Sequence, residues 1–237
     1  MEQNKQTASK RRQKAEKSRE KRTEIVRKRL LILVIAVAVA AVLVIALICK
    51  LLGVFDAAAE VSTLTLTEDG QVICEEVTSF EDDAYSKGAL KSYMKEEIKA
   101  YTSENGANSV KLDKVKVKDG EAYAKVTYAS AEDYSHFTSL GLYVGTIEEA
   151  LEQGFDFSDA FVSVTDGVKG ASVEPLDITS QKDLKITVVK ENINVTVDGK
   201  ILYVSDSCTT MVDEDTVAIS QPDGNQDATQ LTYIIYQ

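Results

Sequence analysis

The chain has no tryptophan, one histidine, two prolines and three cysteines among 237 residues, and no arginine beyond residue 29. Each scarcity removes a class of protein. A Ser-His-Asp hydrolase needs an imidazole base held by recognisable partners; here His136 stands alone, and no serine sits in a Gly-x-Ser-x-Gly elbow. Zinc needs clustered soft ligands, and cysteines at 49, 74 and 208 with one histidine form neither Cys-x-x-Cys nor His-Glu-x-x-His. A Gly-rich phosphate loop is missing too. Without low-complexity tracts the chain is no Pro-rich linker, and with three cysteines it is no disulfide-dense scaffold.

Charge of one sign is also scarce in each part of the chain in turn. Residues 1–29 carry twelve Lys and Arg against four Glu, a net of +8, and hold all six arginines. Residues 51–237 carry fourteen Lys against 34 Asp and Glu, a net of −20. The overall −11 thus hides a basic head and an acidic body with opposite partner preferences. Lacking the guanidinium fork, the acidic body has no bidentate grip on phosphate, and its charge repels polyanions; nucleic acid is not an expected partner.

Between head and body lies the strongest signal, twenty consecutive apolar residues from Leu30 to Cys49. At 1.5 Å per residue such a helix spans about 30 Å, the thickness of a bilayer hydrocarbon core. The expected organisation is a basic cytoplasmic tail (1–29), a transmembrane helix (30–52), a linker (53–60), an α+β external region (61–165) and a β-rich external region (166–237), the last two belonging to one domain or to two. A cleaved secretory signal has a shorter head and a shorter apolar run, although Ala57-Ala58-Ala59 offers small residues beyond the span. Ile48 before Cys49 is too bulky for lipid attachment. Because Lys and Arg resist translocation, the N-terminus is expected in the cytoplasm and the body outside the cell. Arg22, Arg27, Lys28 and Arg29 would then lie at the surface of the lipid bilayer, the first expected partner.

The external part reads as antiparallel hairpins with helices between them. Val61–Thr67 and Gln71–Thr78 flank the turn Glu68-Asp69-Gly70, and Val110–Lys118 and Glu121–Tyr128 flank Asp119-Gly120. Leu90, Tyr93, Met94, Ile98 and Tyr101 recur at helical spacing over residues 87–104 and are expected on the core, with Asn105-Gly106 as the stop. Ser130-x-x-Asp133 and Thr146-x-x-Glu149 have the form of helix caps and predict two short helices, the second stopped at Gly154, with a strand at Leu140–Val144 between them. Strands are expected at Phe161–Thr165, Leu184–Val189, Ile193–Val197, Ile201–Val204, Thr216–Ile219 and Thr229–Tyr236, with Asp198-Gly199 closing a further hairpin. The class is α+β: a single N-terminal transmembrane helix, then a domain of antiparallel hairpins with one amphipathic helix and two short ones.

The run from Thr67 to Phe157, with Glu68-Asp69-Gly70, Asn105-Gly106, Ser130-x-x-Asp133-Tyr134-x-x-Phe137 and Gly145-Thr146-x-x-x-Ala150-x-x-x-Gly154-Phe155, resembles external domains of uncharacterised lipoproteins and membrane proteins of clostridial-type Gram-positive bacteria. The resemblance covers about the first half of the external part. It implies a bacterial cell-surface location and brings no activity or catalytic residue; a membrane helix takes the place of the lipid-modified cysteine.

Chemistry is sparse in the remaining residues. Asp223, Asn225 and Asp227 start like a calcium loop, but Ala228 and Ile234 stand where Gly and the closing Glu belong. The acidic runs Glu81-Asp82-Asp83 and Asp213-Glu214-Asp215 read as solvated loops. No cofactor or metal is expected. Cys74 and Cys208 are candidates for a disulfide, with two free thiols as the alternative. The leading expectation is a non-enzymatic surface module binding an envelope protein or wall component. An envelope hydrolase using dispersed carboxylates, or a sensor coupled to the basic tail, are the alternatives.

Overall fold

A computed structural model describes residues 60–80, 86–220 and 230–237. The basic head, Arg22, Arg27, Lys28 and Arg29, the apolar run Leu30–Cys49, the acidic run 81–83 and the calcium-like segment 223–227 lie outside the described residues. Among the described residues no helix is long and apolar enough to cross a membrane.

The hairpins come first, because their turns are locally encoded. Strands β1 (Thr63–Leu66) and β2 (Val72–Ser79) pair antiparallel around Gly70, whose φ of 81° is the left-handed conformation the turn demands. Strands β3 (Val110–Lys118) and β4 (Glu121–Tyr128) occupy the expected bounds. Asp119 and Gly120 both have positive φ, 55° and 79°, as a two-residue type I′ turn needs. Helix α1 (Lys87–Asn105) starts at Ser86, whose hydroxyl accepts from the Ala89 amide, and ends at Gly106. Helix α2 (Ala131–Thr138) is capped by Ser130, and β5 (Leu142–Thr146) leads into α3 (Ile147–Glu152), whose Thr146–Glu149 capping box is fully formed.

The second half supplies β6 (Phe161–Thr165), β7 (Val168–Val173), α4 (Pro175–Thr179), β8 (Lys185–Val189), β9 (Asn194–Thr196), β10 (Ile201–Ser205), β11 (Thr209–Met211), β12 (Thr216–Ile219) and β13 (Thr232–Tyr236). Two sheets result, one ordered β11-β12-β9-β1-β2-β4-β3 and the other β5-β8-β13-β10-β6-β7. Among the described residues all strand pairs are antiparallel except β1 with β9. The fold class α+β, with mostly antiparallel sheets and few helices, is therefore as expected.

Leu64, Leu66, Val72, Val126, Val195 and Val217 of the first sheet pack on Leu142, Val162, Val189, Val204, Ile234 and Tyr236 of the second to form the main core. The opposite face of the second sheet carries its own core, in which Ile186, Val188, Tyr233 and Ile235 meet Ile147 and Ala150 of α3 and Ile178 of α4. Sheet two is thus covered on both faces, and β13 at its centre is buried at every position.

Asp198-Gly199 and helix α1 depart from expectation. Asp198-Gly199 closes no hairpin: β9 lies in the first sheet and β10 in the second, so these residues carry the chain from one layer to the other. Gly199 serves there through its lack of a side chain, since a Cβ would run into the backbone carbonyl of Gln237. Residues 61–165 and 166–237, expected to form one domain or two, exchange strands. β1 pairs with β9, β5 with β8 and β6 with β10 across that boundary, within one unit of residues 58–237. The stripe of α1 reaches the core only in part: Met94, Ile98 and Tyr101 pack on it half-buried, no residue of the helix is fully buried, and Tyr93 is 62% exposed.

Candidate binding groove

Helix α1 packs on β3 and rests Met94, Ile98 and Tyr101, all half-buried, on the edge of the main core. Its contact with α2 is aromatic and polar together. The Tyr101 ring stands edge-on to Phe137 at 5.4 Å between centroids, and Phe137 lies 5.8 Å from Tyr128 of β4. The Tyr101 hydroxyl donates to Asp133 Oδ1 at 3.1 Å, while Asp133 Oδ2 accepts from Ser130 Oγ at 2.9 Å. The cap of α2 thereby doubles as its tie to α1. Burial, then the hydrogen bond to Asp133 and the nearby Glu132, raise the Tyr101 phenol above its ordinary value.

Beside this contact the two helices leave a groove of about 440 Å³, lined by Tyr93, Met94, Glu97, Ala100, Tyr101 and Glu104 of α1 and by His136 and Phe137 of α2. That volume lies within the usual range of ligand sites, roughly 300–1,000 Å³. Near the start of α1, Tyr93 also borders a second, apolar hollow of about 450 Å³ with Phe80, Ala89 and Leu90. Charge is sorted along the helix. Lys91, Lys95 and Lys99, four residues apart, form one exposed stripe, and none of them lines the groove; Glu97 and Glu104 stand on the groove side.

Deeper, between β2, β4, α2 and the segment before β9, a smaller cavity of about 100 Å³ holds Cys74, Glu76, Tyr128, Tyr134 and Glu191. The Tyr134 hydroxyl donates to Glu191 Oε1 at 2.7 Å. Burial pushes the Glu191 carboxyl above its ordinary value; the Tyr134 hydrogen bond pulls it back in part, and Glu76 raises it further. Burial likewise pushes the Cys74 thiol up to about 12, assisted by Glu76, Glu191 and Glu75, so that it stays protonated and unreactive at neutral pH. The phenols of Tyr128 and Tyr134 are raised for the same reason. The carboxylates Glu76 and Glu191 share this cavity, yet it is far too small for a sugar ring between them.

Of the residues singled out from sequence, Cys74 is buried in β2 and Cys208 half-buried before β11, and both are free thiols. Their strands are four inter-strand steps apart in one sheet, about 19 Å at the usual strand spacing, against a disulfide limit near 7 Å between Cα atoms. The disulfide alternative is therefore replaced by the free-thiol one. His136 is exposed on α2. Asp213, Glu214 and Asp215 bind locally: Asp213 Oδ1 accepts from the Glu214 amide, Asp215 Oδ1 accepts from Thr216 Oγ1, and Glu214 lies 3.9 Å from Lys200. Among the described residues no three His, Cys, Asp or Glu converge as a metal site. Sequence reasoning found the cap Ser130-x-x-Asp133 but not the Asp133–Tyr101 and Tyr134–Glu191 contacts, which join residues 32 and 57 positions apart.

Compared with family models, with curated proteins and with solved structures, the chain matches none. The groove is consequently read from its own chemistry.

Proposed function

We propose that this chain is a single-pass membrane protein of the clostridial-type Gram-positive cell surface, with its basic head in the cytoplasm and residues 58–237 outside as a non-enzymatic binding module. The groove between α1 and α2 is its contact face. For the address, the support is the apolar run Leu30–Cys49 and the twelve basic residues that precede it. The binding role rests chiefly on one observation: an aromatic groove of about 440 Å³ with the Tyr93 ring 62% exposed beside it. Exposed apolar surface around a concavity costs solubility, and it is retained where something covers it. The enzyme alternative loses support because the two carboxylates that meet in a cavity, exposed Glu76 and half-buried Glu191, share only about 100 Å³.

Two readouts on the full chain in intact cells test the proposal. External protease should remove a C-terminal tag and spare an N-terminal one; the reverse pattern would refute the orientation. A photo-crosslinking residue at position 93 should capture a surface neighbour that the same residue at position 91, on the lysine stripe, does not. Equal capture at both would remove the groove from the argument.

A further inference from the structure

We infer that the partner presents a cationic peptide segment to this groove, with two Lys or Arg side chains three residues apart in an extended, polyproline-like backbone. The inference rests on the groove being the contact face, as proposed above.

Three features of the groove select for positive charge. Its acids, Glu97 and Glu104, have no ion-pair partner among the described residues, because the lysines of α1 lie on the other flank of the helix. Its walls are the rings of Tyr93, Tyr101 and Phe137, whose negative faces attract ammonium and guanidinium groups. Met94 and Ala100 add apolar surface against which the methylene stem of a Lys or Arg can lie. The wider field agrees: residues 51–237 carry −20 and no arginine, so a basic segment is drawn toward this domain and an acidic one is turned away.

Spacing narrows the class further. Glu97 and Glu104 are seven residues apart on one helix face, about 10.5 Å along the axis at 1.5 Å per residue. A polyproline-type backbone repeats every three residues and rises about 3.1 Å for each, so side chains at i and i+3 point the same way about 9 Å apart. Two basic residues so placed reach both carboxylates together. Adjacent basic residues reach only one.

The test uses the full chain in nanodiscs of uncharged phosphatidylcholine and fluorescent Pro-rich peptides read by anisotropy. One carries Lys at i and i+3, a second has adjacent Lys, and a third has Glu in both places. The first should bind tightest and the third not at all. Glu97→Gln and Glu104→Gln should each weaken the first peptide by about threefold to fivefold, the scale of an exposed ion pair, and together by about tenfold or more. Neutralising acids elsewhere, by Glu148→Gln with Glu152→Gln, should change its affinity far less, which separates the groove from the general field of the domain. Both groove acids are exposed, so these variants keep the fold. Indifference to Glu97 and Glu104, or equal binding of the acidic peptide, would overturn the inference. If position 93 still crosslinks a surface neighbour in that event, the groove remains the contact face and only its preference for cations falls; if crosslinking fails as well, both fall.

Discussion

Glu191 shows how one half-buried group links packing to pH. Its carboxyl sits in the cavity with Tyr134 and Glu76, and burial raises its pKa above the ordinary 4.5. A group whose folded pKa is raised stabilises most when protonated, below its unfolded pKa, and that contribution is lost as pH rises through the folded pKa. Stability should therefore fall from about pH 4.5 upward by an amount that belongs to Glu191 alone. Glu191→Gln keeps an acceptor for the Tyr134 hydroxyl and removes the titration. Urea midpoints of the two proteins should diverge in favour of the variant as pH rises toward neutrality. A difference that stays constant with pH would show that Glu191 ionises alike in the folded and unfolded chains. Cys74, protonated in the same cavity, has no part in this range because its thiol lies up at about 12.

At the scale of elements, the same dipeptide type has two outcomes. Asp119-Gly120 and Asp198-Gly199 are both strong hairpin signals, yet only the first joins paired strands. In the first, eight residues of β4 continue the hairpin and pair on their other edge with β2, so local and tertiary preferences agree. Around the second, β9 is claimed by β1 and β12, while β10 is claimed by β6 and β13. Gly199 is pressed against Gln237, and Lys200 and Gln237 exchange backbone hydrogen bonds of 2.9 and 3.1 Å. Gly199→Ala should consequently destabilise by about 1–3 kcal/mol, the cost of overpacking against backbone held by these two hydrogen bonds. Chemical denaturation checks this; an unchanged midpoint would mean the crossover shifts freely. Helix α1 differs again. Its stripe has the right period, but it rests on the rim of the sandwich, so only Met94, Ile98 and Tyr101 find core neighbours and Tyr93 is left to the groove.

For the molecule as a whole, interleaving of the two halves makes a prediction about truncation. Residues 58–165 contain β1 without β9, β5 without β8 and β6 without β10, so half the main core would lose its facing surface. A fragment ending at residue 165 should therefore give the collapsed amide spectrum of an unfolded chain, whereas residues 58–237 should show dispersed amides and one cooperative melt. Two separate transitions in the longer fragment would contradict the interleaved sheets.

The sequence alone determined the hairpins at Gly70 and Gly120, the caps at Ser130 and Thr146, the α+β class and the segregation of charge, because each depends on residues within a few positions of one another. It did not reveal β7, α4 or β11, which are short and owe their place to neighbours already assembled. Tertiary structure alone decided that Cys74 and Cys208 lie too far apart to bond, that Glu191 accepts a hydrogen bond from Tyr134, and that α1 and α2 leave a groove between them. Those outcomes depend on which strands become neighbours across long stretches of chain. Strand order is set by the total burial of two sheet faces, a sum over the whole domain that no local window contains.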